Sequence, residues 1–182
     1  VNELYNWRQS DFFQPWVRER TGTNLKNAAN SKQRHPYEPS YNFEAGIHPF
    51  VNFPIQGVLW YQGESNAHNV ELHETVFPQL VKSWRQQWGY DFPFYYVQLS
   101  SLNRPTWPHF RYSQLQLLKQ IANVGMAVSS DVGDSLDVHP RRKKEVGERL
   151  AWLALHHTYG KKEVVPHGPM PLKAVRQHNN IV

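Results

Sequence analysis

The clearest pattern along the chain is an alternation of short apolar runs with longer segments whose apolar residues recur every three or four positions. Three runs, 57–62, 92–100 and 126–131, are rich in β-branched or aromatic residues and are typical of strands. Three segments have an apolar stripe typical of helices: Phe77, Leu80, Val81, Trp84 and Trp88; then Leu115, Leu118 and Ala122; then Val146, Leu150, Leu153 and His157. Because strands that alternate with helices form parallel sheets covered on both faces, the pattern predicts an α/β fold.

Signals at the ends of these segments refine the prediction. Thr75 is a candidate N-cap that would put Pro78 in the first helical turn, where a missing N–H is harmless. Pro140 is expected to open the last helix. Residues 1–50 are less regular and predict one helix near residues 11–29, while a short strand is expected at 172–176. We therefore expect a domain over 1–160 and a tail over 161–182 that starts a further β module.

Composition narrows the classes of protein. Hydrophobic residues make up 40% of the 182 positions, which is enough for a core, and no apolar run approaches the roughly 18 residues of a membrane span. The absence of Cys excludes disulfides, Cys-ligated zinc and a Cys nucleophile. The net charge is only +5, and the basic runs 141–144 and 161–162 have no interleaved aromatic residues. These features predict neither a membrane nor a nucleic-acid partner.

Two polar segments follow predicted strands, where the crevices of parallel sheets lie. In the segment Asp137-Val138-His139, a carboxylate can accept from imidazole Nδ1 while Nε2 takes a proton from a nucleophile. In the segment 62–66, Gln-Gly-Glu-Ser-Asn, the glycine permits close backbone approach and amides can donate to an oxyanion. Each segment also has a purely structural interpretation, as a hydrogen-bonded loop histidine and as a polar turn after a strand.

The strings GVLWYQGESN at 57–66 and SSDVGDSLDVHP at 129–140, in this order, resemble the sialate O-acetylesterase family of SGNH-type hydrolases. The resemblance runs from about residue 37 to 160. It implies a three-layer α/β/α flavodoxin-like sheet and a Ser-His-Asp acyl transfer that uses no metal or other cofactor.

The resemblance also implies roles for particular residues. His139 would be the general base and Asp137 its orienting carboxylate. Gln62 and Gly63 would match the oxyanion-hole block of the family. Glu64 and Asn66 would hold that loop in shape.

One part of the family pattern has no match. The nucleophilic serine of the family follows the first strand in a Gly-rich turn, and Ser10, Ser31 and Ser40 do not lie in such a setting. Gly133-Asp134-Ser135 copies the nucleophile block superficially, but it follows the last strand and lies only four residues before His139. We therefore expect a sheet without its first strands, a nucleophile supplied by an upstream part of the same protein, and no activity in this chain alone.

By the same resemblance, the expected substrate is an acetylated sugar, sialic acid or a similar glycan. The resemblance is compatible with a secreted or periplasmic location, but the sequence leaves the location open. Trp107 is the candidate for stacking on a sugar face, in preference to Trp60, which we expect in the core. Arg104 is the candidate for a bidentate pair with a sugar carboxylate.

Two alternatives stay open. One is a carbohydrate-binding fragment without catalysis. The other is a metallohydrolase, because oxygen and nitrogen ligands for a cation are available in one short stretch: Asp131, Asp134, Asp137 and His139.

Overall fold

A three-stranded parallel sheet forms the centre of the larger of two structural units. The computed structural model describes residues 14–30, 33–170, 175–177 and 180–181, and the two units divide between Pro54 and Ile55. The strands are β1 (Val58–Trp60), β2 (Phe94–Val97) and β3 (Val124–Ala127), in the order β1-β2-β3. Because all three run in the same direction, their carboxyl ends lie at one edge of the sheet.

The helices follow in chain order. The smaller unit contains α1 (Pro15–Asn24), α2 (Tyr41–Gly46) and a 3-10 turn (His48–Phe50). The larger unit contains α3 (Val70–Trp88), α4 (Trp107–Gln120) and α5 (Lys143–Leu153), and a π-helical turn (Ala154–Thr158) continues α5. Two 3-10 turns follow β1 and β3 (Glu64–Asn66 and Ser130–Val132), and a short antiparallel pair comes last, β4 (Arg176–Gln177) with β5 (Asn180–Ile181).

Successive residues of β2 supply the two halves of the core. Phe94 and Tyr96 pack with buried residues of α3 and α4. Tyr95 and Val97 pack with the buried stripe of α5, which comprises Val146, Leu150 and Leu153. Since side chains alternate between the faces of a strand, the two clusters lie on opposite faces of the sheet. The predicted α/β fold with helices on both faces is confirmed.

The first long helix begins earlier than the sequence predicted. Asn69 is the N-cap of α3, and its side-chain oxygen accepts a hydrogen bond from the Leu72 amide at 3.0 Å. The prediction of a cap at Thr75 is wrong, because the Thr75 hydroxyl donates to the Glu71 carbonyl within the helix. Pro78 accordingly lies in the helix interior, where its ring removes one backbone hydrogen bond.

The ends of other helices and strands also differ from the sequence prediction. The last helix begins at Lys143 rather than at Pro140, and His157 is exposed rather than part of the buried stripe. Ala122 lies beyond the end of α4, and β3 ends at Ala127 rather than at 131. The expected strand at 172–176 falls mostly outside the described residues. The boundary at 160 stays a prediction, since the units divide the chain elsewhere. No helix in the described ranges is long and apolar enough to cross a membrane.

Candidate active site at the carboxyl edge of the sheet

The loops after β2 and β3 pack directly against each other. The Asn103 amide donates to the Ser135 carbonyl oxygen at 2.9 Å. A Cβ atom added to Gly133 would lie 2.5 Å from Ser100 Cβ, so only glycine permits this approach without a shift. The loop that carries Asp137 and His139 is therefore fixed against the middle strand's loop.

A hydrophobic cluster joins all three loops beneath this edge. Its buried members are Ala67 from the loop after β1, Leu99 from the loop after β2, and Trp107 and Phe110 from α4. Val138, the residue between Asp137 and His139, packs against the cluster. The two polar segments that the sequence singled out thus lie at the same edge of the sheet and over the same cluster.

The Gln62–Asn66 segment forms a tight corner after β1. Gly63 is buried and has a φ of +148°, a conformation that favours glycine, and a Cβ there would lie 2.9 Å from Phe110 Cε1. The Asn66 amide donates to the Gly63 carbonyl at 2.8 Å, and Gln62 Nε2 donates to Asn66 Oδ1 at 2.5 Å. Glu64 opens the 3-10 turn and is half-buried. Within the described ranges, the Gly63 amide has no hydrogen-bond acceptor in the protein.

Asp137 and His139 lie side by side in the loop after β3. Asp137 Oδ1 accepts a hydrogen bond from the His139 backbone amide at 2.8 Å. The distance from His139 Nδ1 to the same oxygen is 3.8 Å, which exceeds a hydrogen bond, and the His139 side chain is 89% exposed. The carboxylate and the imidazole are thus adjacent but not hydrogen-bonded to each other. Their catalytic roles stay predictions at this point.

The two candidate substrate contacts differ in accessibility. Trp107 is only 2% exposed, and its indole Nε1 donates to the Ser100 carbonyl at 2.7 Å. Because the ring packs in the loop cluster, it offers no open face for a sugar in this structure. Arg104 lies on the surface, with its Cζ 5.6 Å from the centre of the Trp107 ring. Trp60, expected in the core, packs against the cluster of α3 and α4.

Asp131, one of the ligands considered for a metal, has a different partner. Both carboxylate oxygens accept hydrogen bonds from Arg149, each at 2.6 Å, and these bonds lower the pKa of Asp131 to about 2. Arg149 also donates to the Val128 carbonyl at 2.7 Å, so the pair fixes the start of the loop. Among the described residues, no group of three His, Asp or Glu side chains is arranged to hold a metal ion.

Two neighbours of the site were not identified from the sequence. His73 on α3 is 6% exposed, stacks on Phe77 and lies 4.4 Å from the Phe110 ring centre. Its spacing of four from Phe77 could have placed it on the buried stripe. Lys143 Nζ lies 4.3 Å from the centre of the Tyr61 ring. No sequence signal indicates this second contact, because it joins distant parts of the chain.

Comparison with known proteins identifies the family. Residues 20–156 match the family model described as carbohydrate esterase, sialic acid-specific acetylesterase. The chain belongs to this family. Sialate O-acetylesterase of Mus musculus is 36% identical over 76% of this chain, and that of Homo sapiens is 35% identical over the same share. The rat protein is 34% identical over 92% of the chain. The chain spans 30%, 31% and 37% of the length of these three relatives.

A solved structure supports the same family. A carbohydrate acetylesterase from Xanthomonas citri matches with a TM-score of 0.65 and 36% sequence identity, and the match covers 71% of this chain and 32% of that chain. The sialic acid-specific acetylesterase family is therefore indicated by sequence and by fold together.

Proposed function

We propose that the protein is a serine carboxylesterase that removes O-acetyl groups from a carbohydrate, with acetylated sialic acid or a similar acetylated sugar as substrate. Family membership and the names of the relatives support the acetylesterase activity. One structural observation carries the proposal for this chain. The adjacent Asp137 and His139 and the free Gly63 amide belong to loops that join over one cluster at the carboxyl edge of the sheet.

The proposed reaction is an acyl transfer in two steps. A serine hydroxyl, supplied by a part of the protein outside this chain, attacks the acetyl carbonyl while His139 Nε2 accepts its proton. The Gly63 amide, with the neighbouring Gln62, donates to the oxyanion that forms. The proton then passes to the departing sugar oxygen, and water hydrolyses the acetyl-serine to release acetate. No step needs a metal or another cofactor.

Asp137 has a positioning role in this proposal. Its carboxylate would accept from His139 Nδ1, hold the neutral tautomer and stabilise the imidazolium. The present distance of 3.8 Å must shorten by about 1 Å to make this bond, and catalytic hydrogen bonds are often long before substrate binds. The pair is therefore expected to tighten when the nucleophile and substrate fill the crevice.

Acetate release by the full-length protein tests the proposal. We expect His139→Ala to lower kcat/KM for an acetylated sugar by about a thousandfold or more and Asp137→Asn by about a hundredfold. His48→Ala, which changes an exposed histidine of the smaller unit, is the matched control and should keep wild-type activity. Circular dichroism should be the same for all variants.

Two results would refute the assignment in different ways. Normal acetate release by the His139→Ala variant would remove His139 as the base. Binding of acetylated sugar by the wild-type protein without any acetate release would favour the non-catalytic carbohydrate-binding alternative.

A further inference from the structure

Four consecutive cations, Arg141 to Lys144, lie where the loop after β3 meets α5, and only two of them pair with carboxylates. Arg142 pairs with Glu145 at 2.5 Å, and Lys144 lies 3.8 Å from Glu148. Among the described residues, Arg141 and Lys143 have no carboxylate partner. A cation in the first turn of a helix is also disfavoured by the helix dipole. The unpaired charge at this position is thus not explained by the stability of the helix.

An aromatic contact connects Lys143 with the residue that precedes the Gln62–Asn66 segment. Its Nζ lies 4.3 Å from the centre of the Tyr61 ring, within the range of a cation–π interaction. Tyr61 immediately precedes Gln62 at the oxyanion corner, and Lys143 follows His139 by four residues. The contact therefore connects the start of α5, four residues after the candidate base, with the segment that carries the candidate oxyanion donors.

An ammonium group in this setting can bind an anion without losing its aromatic contact. Nζ has three donors, and the ring occupies one side of the group. Among the described residues, no Asp or Glu oxygen lies within ion-pair distance of Nζ. A sugar carboxylate bound beside Gln62 could therefore form an ion pair with Nζ, whereas a neutral sugar could not.

We propose that Lys143 determines specificity by binding the carboxylate of an acetylated sugar acid, so that the site prefers anionic over neutral acetylated sugars. The inference rests on the proposed function and adds a residue and a charge preference to it. Lys143 would act on substrate binding, and His139 would keep its role as base.

The test compares two substrates that differ only in charge: O-acetylated sialic acid and its methyl ester. Acetate release is measured on the full-length protein. We expect Lys143→Met to lower kcat/KM for the acid by about fivefold, mainly through KM, and to leave the methyl ester unchanged. Lys143→Arg should keep most of the preference for the acid. Lys144→Met removes the same charge one residue further on and should change neither substrate.

A second readout tests Lys143 without turnover. Free sialic acid should bind the Lys143→Met variant about fivefold more weakly than the wild type, as measured by calorimetry, and added salt should reduce the difference. Equal losses on the acid and on the methyl ester, or an equal loss in Lys144→Met, would overturn the inference. Absence of acetate release from both substrates would refute the proposed function, and the binding comparison would still decide the role of Lys143.

Discussion

At the scale of single residues, His73 brings an ionisable ring into the apolar interior. It stacks on Phe77, and its Nδ1 is buried with no hydrogen-bond partner among the described residues. Burial lowers the pKa of His73 to about 4, because the charged form would lose its hydration. The folded state therefore keeps this imidazole neutral through the mildly acidic range. Phe110, which contacts the same ring, also borders Gly63 in the Gln62–Asn66 segment.

This residue should make the stability of the protein depend on pH. Below the ordinary histidine pKa of about 6.5, His73 is protonated in the unfolded chain but stays neutral in the folded chain. The free energy of unfolding therefore falls as the pH falls towards 4. The stability that the neutral His73 contributes is fully present above pH 6.5. By pH 4, the free energy of unfolding should have fallen by about 3 kcal/mol. Urea unfolding followed by tryptophan fluorescence at pH 7 and pH 4.5 should show a smaller decrease for His73→Leu. Equal decreases for both proteins would contradict the prediction.

At the scale of elements, the loops after the strands determine the geometry of the candidate site. The loop after β3 is fixed at its start by Arg149, which binds Asp131 and the Val128 carbonyl. It is fixed in the middle by the close approach of Gly133 to Ser100. The position of His139 therefore depends on how closely two loops can pack.

Gly133→Ala should disturb this packing. The added methyl group would lie within 3 Å of both Ser100 and the Ser101 amide, so we expect a loss of about 1–3 kcal/mol in unfolding free energy and lower acetate release as the loop shifts. Gly147→Ala on α5 is the matched control. Nothing lies within 4 Å of a Cβ at that position, and alanine should stabilise the helix by up to about 1 kcal/mol. Thermal unfolding of the two variants checks the prediction, and a stable, fully active Gly133→Ala variant would disprove it.

The sequence predicted the elements well and their ends less well. The three strands follow from short apolar runs, which reflect burial on both faces of the sheet, and the buried stripe of α5 follows from its hydrophobic period. Thr75 was mistaken for a cap because Asn69 supplies one six residues earlier, at the end of a polar segment without an apolar signal. From the sequence, Trp107 was expected to be accessible in a Pro-bearing loop. Its burial could not be predicted, because its hydrogen bond to the Ser100 carbonyl depends on tertiary packing.

At the scale of the whole molecule, parallel topology gathers distant sequence segments at one edge. Gln62 and His139 are 77 positions apart in the sequence, yet their loops both begin at carboxyl ends of the same sheet. The sequence could predict this convergence from strand order along the chain. It could not predict the contact between Lys143 and Tyr61, which depends on the positions of side chains after folding.

The position of Ser135 in the loop after β3 predicts that this residue is not the nucleophile. Ser135 is exposed on the same loop as His139, and its carbonyl is used to bind Asn103. Ser135→Ala should therefore keep acetate release within about twofold of wild type, as is usual for exposed substitutions. The His139→Ala variant in the same assay gives the loss expected when the candidate base is removed. A comparable loss of acetate release in Ser135→Ala would indicate that Ser135 is the nucleophile.

Val138 connects the buried loop cluster with the candidate active site at the surface. The residue packs against the loop cluster, and its two chain neighbours are the candidate orienting carboxylate and the candidate base. A change of volume at Ala67 or Leu99 would tilt this short backbone stretch, and the imidazole would turn with it. Apolar substitutions that make no contact with the sugar could thus alter turnover. A mutational survey limited to residues that line the crevice would miss such substitutions.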